Sequence, residues 1–475
     1  MGTRAKRPRS GQRSQWPLLI VANTLPIRRQ RERGVTRWVT APGGLATALT
    51  PIVRDAGGAW IGWTGAVGRI PTTFRHEGIA MVPVPLSRQE ITEYYEGFGN
   101  GTLWPLFHGA IREPAYHRPW WRAYVAVNER FAETVARHAT PGGTVWVQDY
   151  HLMLVPSLLR RRRPDLRIGF FLHVPFPAED LFARLPWRRQ VIEGVLGADV
   201  VGLQTPTAAR NLARLARRFG GADVHGNMVF KEGRQTVVDA YPISVDVQGI
   251  EHVAGLPRVH RRVEELRRTV GRGRRVLLGV DRLDYTKGID LRLKAYAELL
   301  TRQREFAAQT VLVQVAVPSR DRVLEYRRLQ ERVDAMVGRL NGEHGDVGVE
   351  PVSYVRRNLD TEELVALYRL ADVMLVTPLA DGMNLVAKEY VAARTDGRGT
   401  LILSEFAGAA AELKSALLVN PHDVNGMADA IEQALAMPAP EERRRMRQLR
   451  GAVHTNTVQD WAASFLKSLR SASSA

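Results

Sequence analysis

The chain has 475 residues, 45 % of them apolar, no cysteine and a formal net charge of +18. That length suits two or three domains with sizeable cores, the absence of cysteine excludes disulfides, thiol catalysis and Cys-ligated metal, and no apolar run approaches the roughly 18 residues of a membrane span. The charge admits an anionic partner, but only seven of the 67 basic residues are Lys and no nucleic-acid-binding motif accompanies them, so most of the excess is read as codon bias.

In chain order, residues 1–15 are basic and Ser/Gly-rich, without an apolar segment of signal-peptide length, and are expected to be a disordered tail of a cytoplasmic protein. Leu18-Leu-Ile-Val-Ala22 reads as a strand ending in Asn23-Thr-Leu-Pro26. Residues 28–37 are polar and read as a mobile loop. The paired glycines Gly43 and Gly44 stand at a helix start, where either a ligand approaches the backbone or the chain simply turns tightly. Ala59–Trp63 and Gly78–Val84 are strand candidates. Glu93-Tyr-Tyr-Glu-Gly-Phe-Gly-Asn-Gly-Thr-Leu-Trp-Pro105 is too rich in glycine for a regular element. It is expected to be a loop, suited either to sugar binding or to plain surface packing.

Next, apolar strands alternate with helices. Thr144–Asp149, Arg167–His173 and Asp199–Gln204 read as strands, with helices expected over 153–163 and 181–196. This alternation predicts a parallel sheet covered on both faces. Ligands of such sheets bind beyond the carboxyl ends of the strands, which is where Asp149 and His173 stand. The alternation pauses near 246–255, predicting domains over 16–250 and 251–455. A last helical segment, 456–475, is expected to pack back on the first domain. The second α/β set has strands at Arg275–Val280, Thr310–Ala316, Val373–Thr377 and Leu401–Ser404.

The stretch Pro378–Tyr390 carries the most chemistry. A turn through Asp381 and Gly382 leads into a helix from Asn384 to about Ala393 whose first residues are uncharged. Such a start offers unpaired N–H groups to a phosphate. Asp381 just before it and Glu389 one turn past Leu385 can hold hydroxyls at the two ends of a nucleotide sugar, or can be ordinary surface carboxylates. Arg282 and Lys287 share a loop after another strand. Cations there suit a diphosphate and would stabilise the charge that grows on a departing nucleoside diphosphate. The alternative is a solvated loop ion-paired to Asp284. No Asp-X-Asp occurs in the chain, which argues against a metal held by closely spaced acids.

Taken together, Gly43-Gly-Leu45, Glu93-Tyr-Tyr95, Leu103-Trp-Pro105, Asp149-Tyr-His151, Phe171-Leu-His-Val-Pro-Phe-Pro177, Arg282-Leu-Asp-Tyr-Thr-Lys-Gly288, Pro318-Ser-Arg320, Asp381 to Tyr390 and Ser404-Glu-Phe-Ala-Gly408 resemble the trehalose-6-phosphate synthases, retaining glycosyltransferases of family 20, over about residues 17–465. The resemblance implies an α/β fold of two Rossmann-like domains whose mostly parallel sheets face a central cleft, the GT-B arrangement. It implies glucosyl transfer from a nucleoside-diphosphate glucose to glucose 6-phosphate, giving α,α-trehalose 6-phosphate. Arg282, Lys287, Gly382, Met383, Asn384, Leu385, Val386 and Glu389 would bind the donor diphosphate and ribose. Gly43 and Gly44 would lie near the diphosphate, Leu359 near the base and Asp381 on the donor glucose. Tyr95, Trp104, Asp149, Arg320 and the position of Thr24 would form the acceptor pocket, with His173 at the reacting centre.

Retention in similar enzymes is ascribed to front-face attack, with the leaving phosphate taking the acceptor's proton, so neither a metal nor another cofactor is expected. UDP is the family's usual base and GDP the alternative, and a homodimer or homotetramer is the implied assembly. One position departs from the pattern. The family usually carries Asn-Arg-Leu-Pro after its first strand, with the Arg on the acceptor phosphate, whereas here the stretch is Asn23-Thr-Leu-Pro26. Losing a charge-assisted contact of that kind costs about 1.5–3 kcal/mol. A related transferase with a different phosphorylated acceptor, such as a cyclitol phosphate, and a non-catalytic sugar-phosphate sensor are the rival readings.

Overall fold

The computed structural model describes residues 15–32, 35–40, 44–67, 72–271, 273–320 and 323–472. The tail expected over 1–15, apart from Gln15, and Gly43 lie outside the described residues. Short apolar strands assemble into two large sheets. The first has ten strands in the order Asp223–His225, Met228–Lys231, Arg234–Ala240, Val200–Leu203, Arg167–Phe171, Ala139–Gln148, Trp16–Thr24, Ala59–Trp63, Ile79–Pro83 and Phe74–His76. Its interior pairs are parallel and its edges antiparallel. The second has six parallel strands in the order Val352–Val355, Thr310–Val317, Arg275–Arg282, Val373–Val376, Thr400–Ser404 and Leu417–Val419. Runs such as Leu19-Ile20-Val21 and Leu277-Leu278 are wholly buried, because helices cover both faces of each sheet.

Strand order locates the site. In the first sheet the chain moves outward from Trp16–Thr24 to one side, then returns to place Ala139–Gln148 on its other side. In the second it moves outward from Arg275–Arg282 and returns with Val373–Val376. Loops diverge at such switch points and leave a crevice beyond the strand ends. Thr24 ends and Asp149 follows a switch strand of the first sheet, and Arg282 ends and Asp381 follows one of the second. The last helix, Val458–Ala472, crosses back to the first sheet. Its Phe465 stacks on Trp146 at 4.5 Å, and a Cβ at Gly169 or Gly202 would meet that Phe465 ring at 2.6 or 2.8 Å.

Three local expectations are corrected. Residues 28–32 and 35–37 pair as antiparallel strands, within Ile27–Glu32 and Val35–Thr40, since a polar segment can form a strand as readily as a loop. Residues 91–103 form a wide helix rather than a loop, with hydrogen bonds reaching five residues back, as from the Trp104 N–H to the Gly99 carbonyl. Its glycines admit neighbours: a Cβ on Gly97 would lie 2.6 Å from the Trp120 ring. The single helix expected over 181–196 is two, Glu179–Phe182 and Arg188–Val195, because Pro186 cannot continue a helix.

Candidate active site

On the first-domain side, Asp149 follows the strand Ala139–Gln148 at φ 72°, ψ 169°. That region is almost exclusive to glycine and costs another residue on the order of 1–3 kcal/mol. Neighbours enforce it: the Asp149 N–H donates to the Phe171 carbonyl at 2.7 Å, and Asp149 Oδ1 accepts the His173 N–H at 3.2 Å. Burial pushes the Asp149 carboxyl up to about 6, although backbone N–H groups and the Arg282 and Arg320 guanidinium groups pull the other way. His173 Nε2 donates to Gln148 Oε1 at 2.9 Å, leaving Nδ1 as acceptor. Burial lowers this imidazole to about 3, so it is neutral near pH 7.

On the second-domain side, Lys287 Nζ lies 2.5 Å from Asp381 Oδ2, and Asn384 Nδ2 donates to the same oxygen at 3.1 Å. Burial alone would raise the Asp381 carboxyl, but the Lys287 ammonium, with smaller contributions from His108 and the Asn384 amide, holds the group below the usual carboxylate range. Asn384 sits at φ 78° and caps the helix Leu385–Ala393 by accepting the Ala387 N–H at 3.2 Å. The helix start is therefore partly occupied. The N–H groups of Leu385 and Val386, in the first turn, have no intrahelical partner. Gly382 is where the domains touch, since any Cβ there would collide with the His173 carbonyl.

Arg320 bridges the two sides. It adopts φ 54°, lays its guanidinium 4.0 Å from the Trp104 ring centroid and donates to Tyr150 Oη and Asp284 Oδ2 at 3.3 Å each. Asp284 thus pairs with Arg320, not with Arg282 or Lys287, correcting the simpler ion-paired loop. The Arg282 guanidinium lies 5.4 Å from the Trp104 ring centroid and makes no hydrogen bond or ion pair among the described residues.

One cavity of about 410 Å³ gathers Thr24, Tyr95, Trp104, Asp149 and His173 from the first domain with Arg282, Lys287, Arg320 and Asp381 from the second. Ala46, two residues past Gly44 in the helix Gly44–Asp55, lines it too. Gly382 faces a neighbouring interdomain groove. Leu359, Met383, Asn384, Leu385, Val386 and Glu389 are not in the cavity wall. The Met383 side chain is buried in the core, so only its backbone is open to a ligand, and its carbonyl already accepts the Ala409 N–H. Glu389 accepts a hydrogen bond from Tyr368 Oη at 2.8 Å, and burial raises its pKa.

The sequence reading missed His108. It lines the same cavity, its Nδ1 lies 2.8 Å from the Trp104 carbonyl, and burial lowers it to about 4. Its spacing from Trp104, four residues along a helix, was the available signal.

Two largely parallel α/β sheets whose switch points open on one cavity define the GT-B architecture. The model of glycosyltransferase family 20 matches residues 17–471, and the chain belongs to that family. A trehalose-6-phosphate synthase of Mycobacterium leprae is 51 % identical over 96 % of this chain and 94 % of its own. Among solved structures, a UDP-forming α,α-trehalose-phosphate synthase from Burkholderia xenovorans in complex with glucose-6-phosphate superposes with a TM-score of 0.88 at 34 % identity, covering 95 % of this chain and 99 % of that one. An E. coli structure bound with UDP-2-fluoro glucose superposes with a TM-score of 0.87 at 33 % identity, covering 95 % and 98 %. No helix among the described residues is long and apolar enough to cross a membrane.

Proposed function

We propose that the protein transfers glucose with retention from a nucleoside-diphosphate glucose, UDP-glucose in the first instance, to glucose 6-phosphate in the cytoplasm. The product is α,α-trehalose 6-phosphate. The observation that carries this reading is the meeting of Lys287, Arg282 and Asp381 with Asp149, His173 and Arg320 in one interdomain cavity. UDP is favoured because the Burkholderia relative is UDP-forming and the E. coli one holds a UDP sugar; GDP-glucose is the second candidate.

In this reading the donor diphosphate lies between Arg282, Lys287 and the Leu385–Val386 N–H groups, displacing Lys287 from Asp381. Asp381 is then free to accept donor glucose hydroxyls, and Glu389 takes the ribose. Asp149 accepts acceptor hydroxyls, and neutral His173 offers Nδ1 beside the reacting carbon. As the glycosidic bond breaks, negative charge grows where the cations and N–H groups already stand. The leaving phosphate takes the acceptor's proton. No divalent metal is required, so excess chelator should leave the rate unchanged.

The test is incubation with UDP-, GDP- and ADP-glucose plus glucose 6-phosphate, measuring nucleoside diphosphate and the phosphorylated disaccharide. Absence of product with every donor would falsify the proposal. Thr24 favours one variant of it, a different phosphorylated acceptor, because the side chain at that position of the cavity wall is neutral. A panel of sugar and cyclitol phosphates separates the two.

A further inference from the structure

The chain crosses between its domains twice, and one buried lysine touches this junction. The first crossing is 241–246 and the second is 456–457, between the last two helices. They run side by side: the Val458 N–H donates to the Val245 carbonyl at 3.2 Å, and Asn456 Nδ2 donates to the Pro242 carbonyl at 2.9 Å. Lys388 Nζ donates to the Ile243 carbonyl at 2.9 Å and to Glu412 Oε1 at 2.8 Å, while Glu412 Oε2 accepts from Asn456 Nδ2 at 3.2 Å. Lys388 is only 1 % exposed. An ammonium taken out of water is expensive, and a methionine would fill much the same volume without that cost. Lys388 also belongs to the helix Leu385–Ala393, one turn from the Leu385 and Val386 N–H groups. The far end of that helix is held by Arg450, whose Nη1 donates to the Ala392 carbonyl at 3.0 Å and whose Nη2 pairs with Glu251 at 2.6 Å, just past the first crossing.

We infer that Lys388 is a positioning residue that ties the donor-phosphate helix to both interdomain crossings, so that donor binding sets the angle between the domains. This rests on the donor assignment proposed above. Binding that pulls the helix start would move Lys388, and with it the Ile243 carbonyl and Glu412–Asn456. Hinges of this kind consist of a few residues at element ends, far from the chemistry.

The experiment is hydrogen exchange of the full-length protein at 241–247 and 455–459, with and without UDP, alongside calorimetry of UDP binding. In the wild type, UDP should slow exchange at both crossings. In Lys388→Met, UDP should still bind within about threefold of wild type, the slowing should vanish, and kcat should fall about tenfold with little change in the acceptor KM. UDP-induced slowing and kcat both unchanged in Lys388→Met would overturn the inference. If that variant does not fold, Asn456→Ala, at a half-buried position, reads the same coupling. It should lose the slowing at 241–247 while keeping it at 382–390, and retention at both would overturn the coupling. UDP that binds the wild type without slowing exchange at the crossings also overturns the coupling alone. UDP that fails to bind the wild type overturns the donor assignment beneath it.

Discussion

The two walls of the cavity are built differently. On the second-domain wall, apart from Arg320, positive φ is assigned to residues that tolerate it. Gly288 sits at φ 64°, where a Cβ would lie 2.5 Å from the Thr377 carbonyl, and Asn384 takes φ 78° at a helix cap. Its Lys287 is paired with Asp381. On the first-domain wall, an aspartate occupies backbone space suited to glycine, its carboxyl is held up to about 6, and neutral histidines surround it. The proposed donor wall is thus at ease until a diphosphate breaks its ion pair, while the proposed acceptor wall stores strain and desolvation permanently. Strain of that sort persists where the surroundings over-determine it, and it concentrates at working positions.

The largest effect should come from opening the donor wall. Lys287→Ala removes a fixed cation from the place where leaving-group charge grows, and turnover should fall about 10²–10³-fold. The variant should also melt lower, because it strands the Asp381 carboxylate, and breaking such a pair costs about 3–5 kcal/mol when it is fully buried and less here. Adding Asp381→Asn should recover melting temperature without recovering turnover. Near-normal turnover in the single variant would strip Lys287 of its role. Recovery of both quantities together would mean the pair only supports the fold.

Asp149 should behave in the opposite sense. Asp149→Asn and Asp149→Gly should lose about 10²-fold in turnover by mispositioning the acceptor, yet gain stability. Glycine also relieves the backbone, worth on the order of 1–3 kcal/mol. The pH dependence follows from the raised carboxyl. Its ionisation is penalised in the folded state, so the penalty is absent below the ordinary value near 4 and complete above about 6. The melting-temperature advantage of Asp149→Asn should therefore grow from pH 4 to pH 7, and wild-type kcat/KM should fall as pH drops below about 6. A variant that melts below wild type at pH 7 would show that Asp149 holds the fold together, making the contrast between the walls one of stability rather than function.

Much of this frame was legible from residue pattern. Apolar runs ending in Asp149, His173 and Arg282 announced parallel strands with polar carboxyl ends, because burial on both faces leaves no other pattern. Less legible was what depends on partners distant in the chain. The glycines at 97 and 101 resembled loop glycines, and only the Trp120 ring against them explains a helix there. Asp284 was a plausible partner for its loop neighbours until Arg320 and Tyr326 claimed it. His108 carried a helical spacing signal but no post-strand position, and Lys388 stood inside the motif-like stretch Pro378–Tyr390 with nothing in the pattern to mark its burial.

The smallest expected effect tests the one position where the acceptor wall departs from the family pattern. Thr24 is exposed on the cavity wall, and its carbonyl accepts from Trp60 Nε1 at 3.3 Å, so the backbone there is fixed while the side chain is open to change. Arg320 is committed to Tyr150, Asp284 and the Trp104 face. Thr24→Arg should then supply a charge the acceptor phosphate lacks and lower the KM for glucose 6-phosphate, by about tenfold if the contact is worth roughly 1.5 kcal/mol, with kcat changed less. Arginine is matched to that role by its planar fork, so Thr24→Lys should gain less. A KM unchanged or raised by Thr24→Arg would mean another cation already serves the phosphate. A KM lowered for a different sugar phosphate but not for glucose 6-phosphate would shift the acceptor itself.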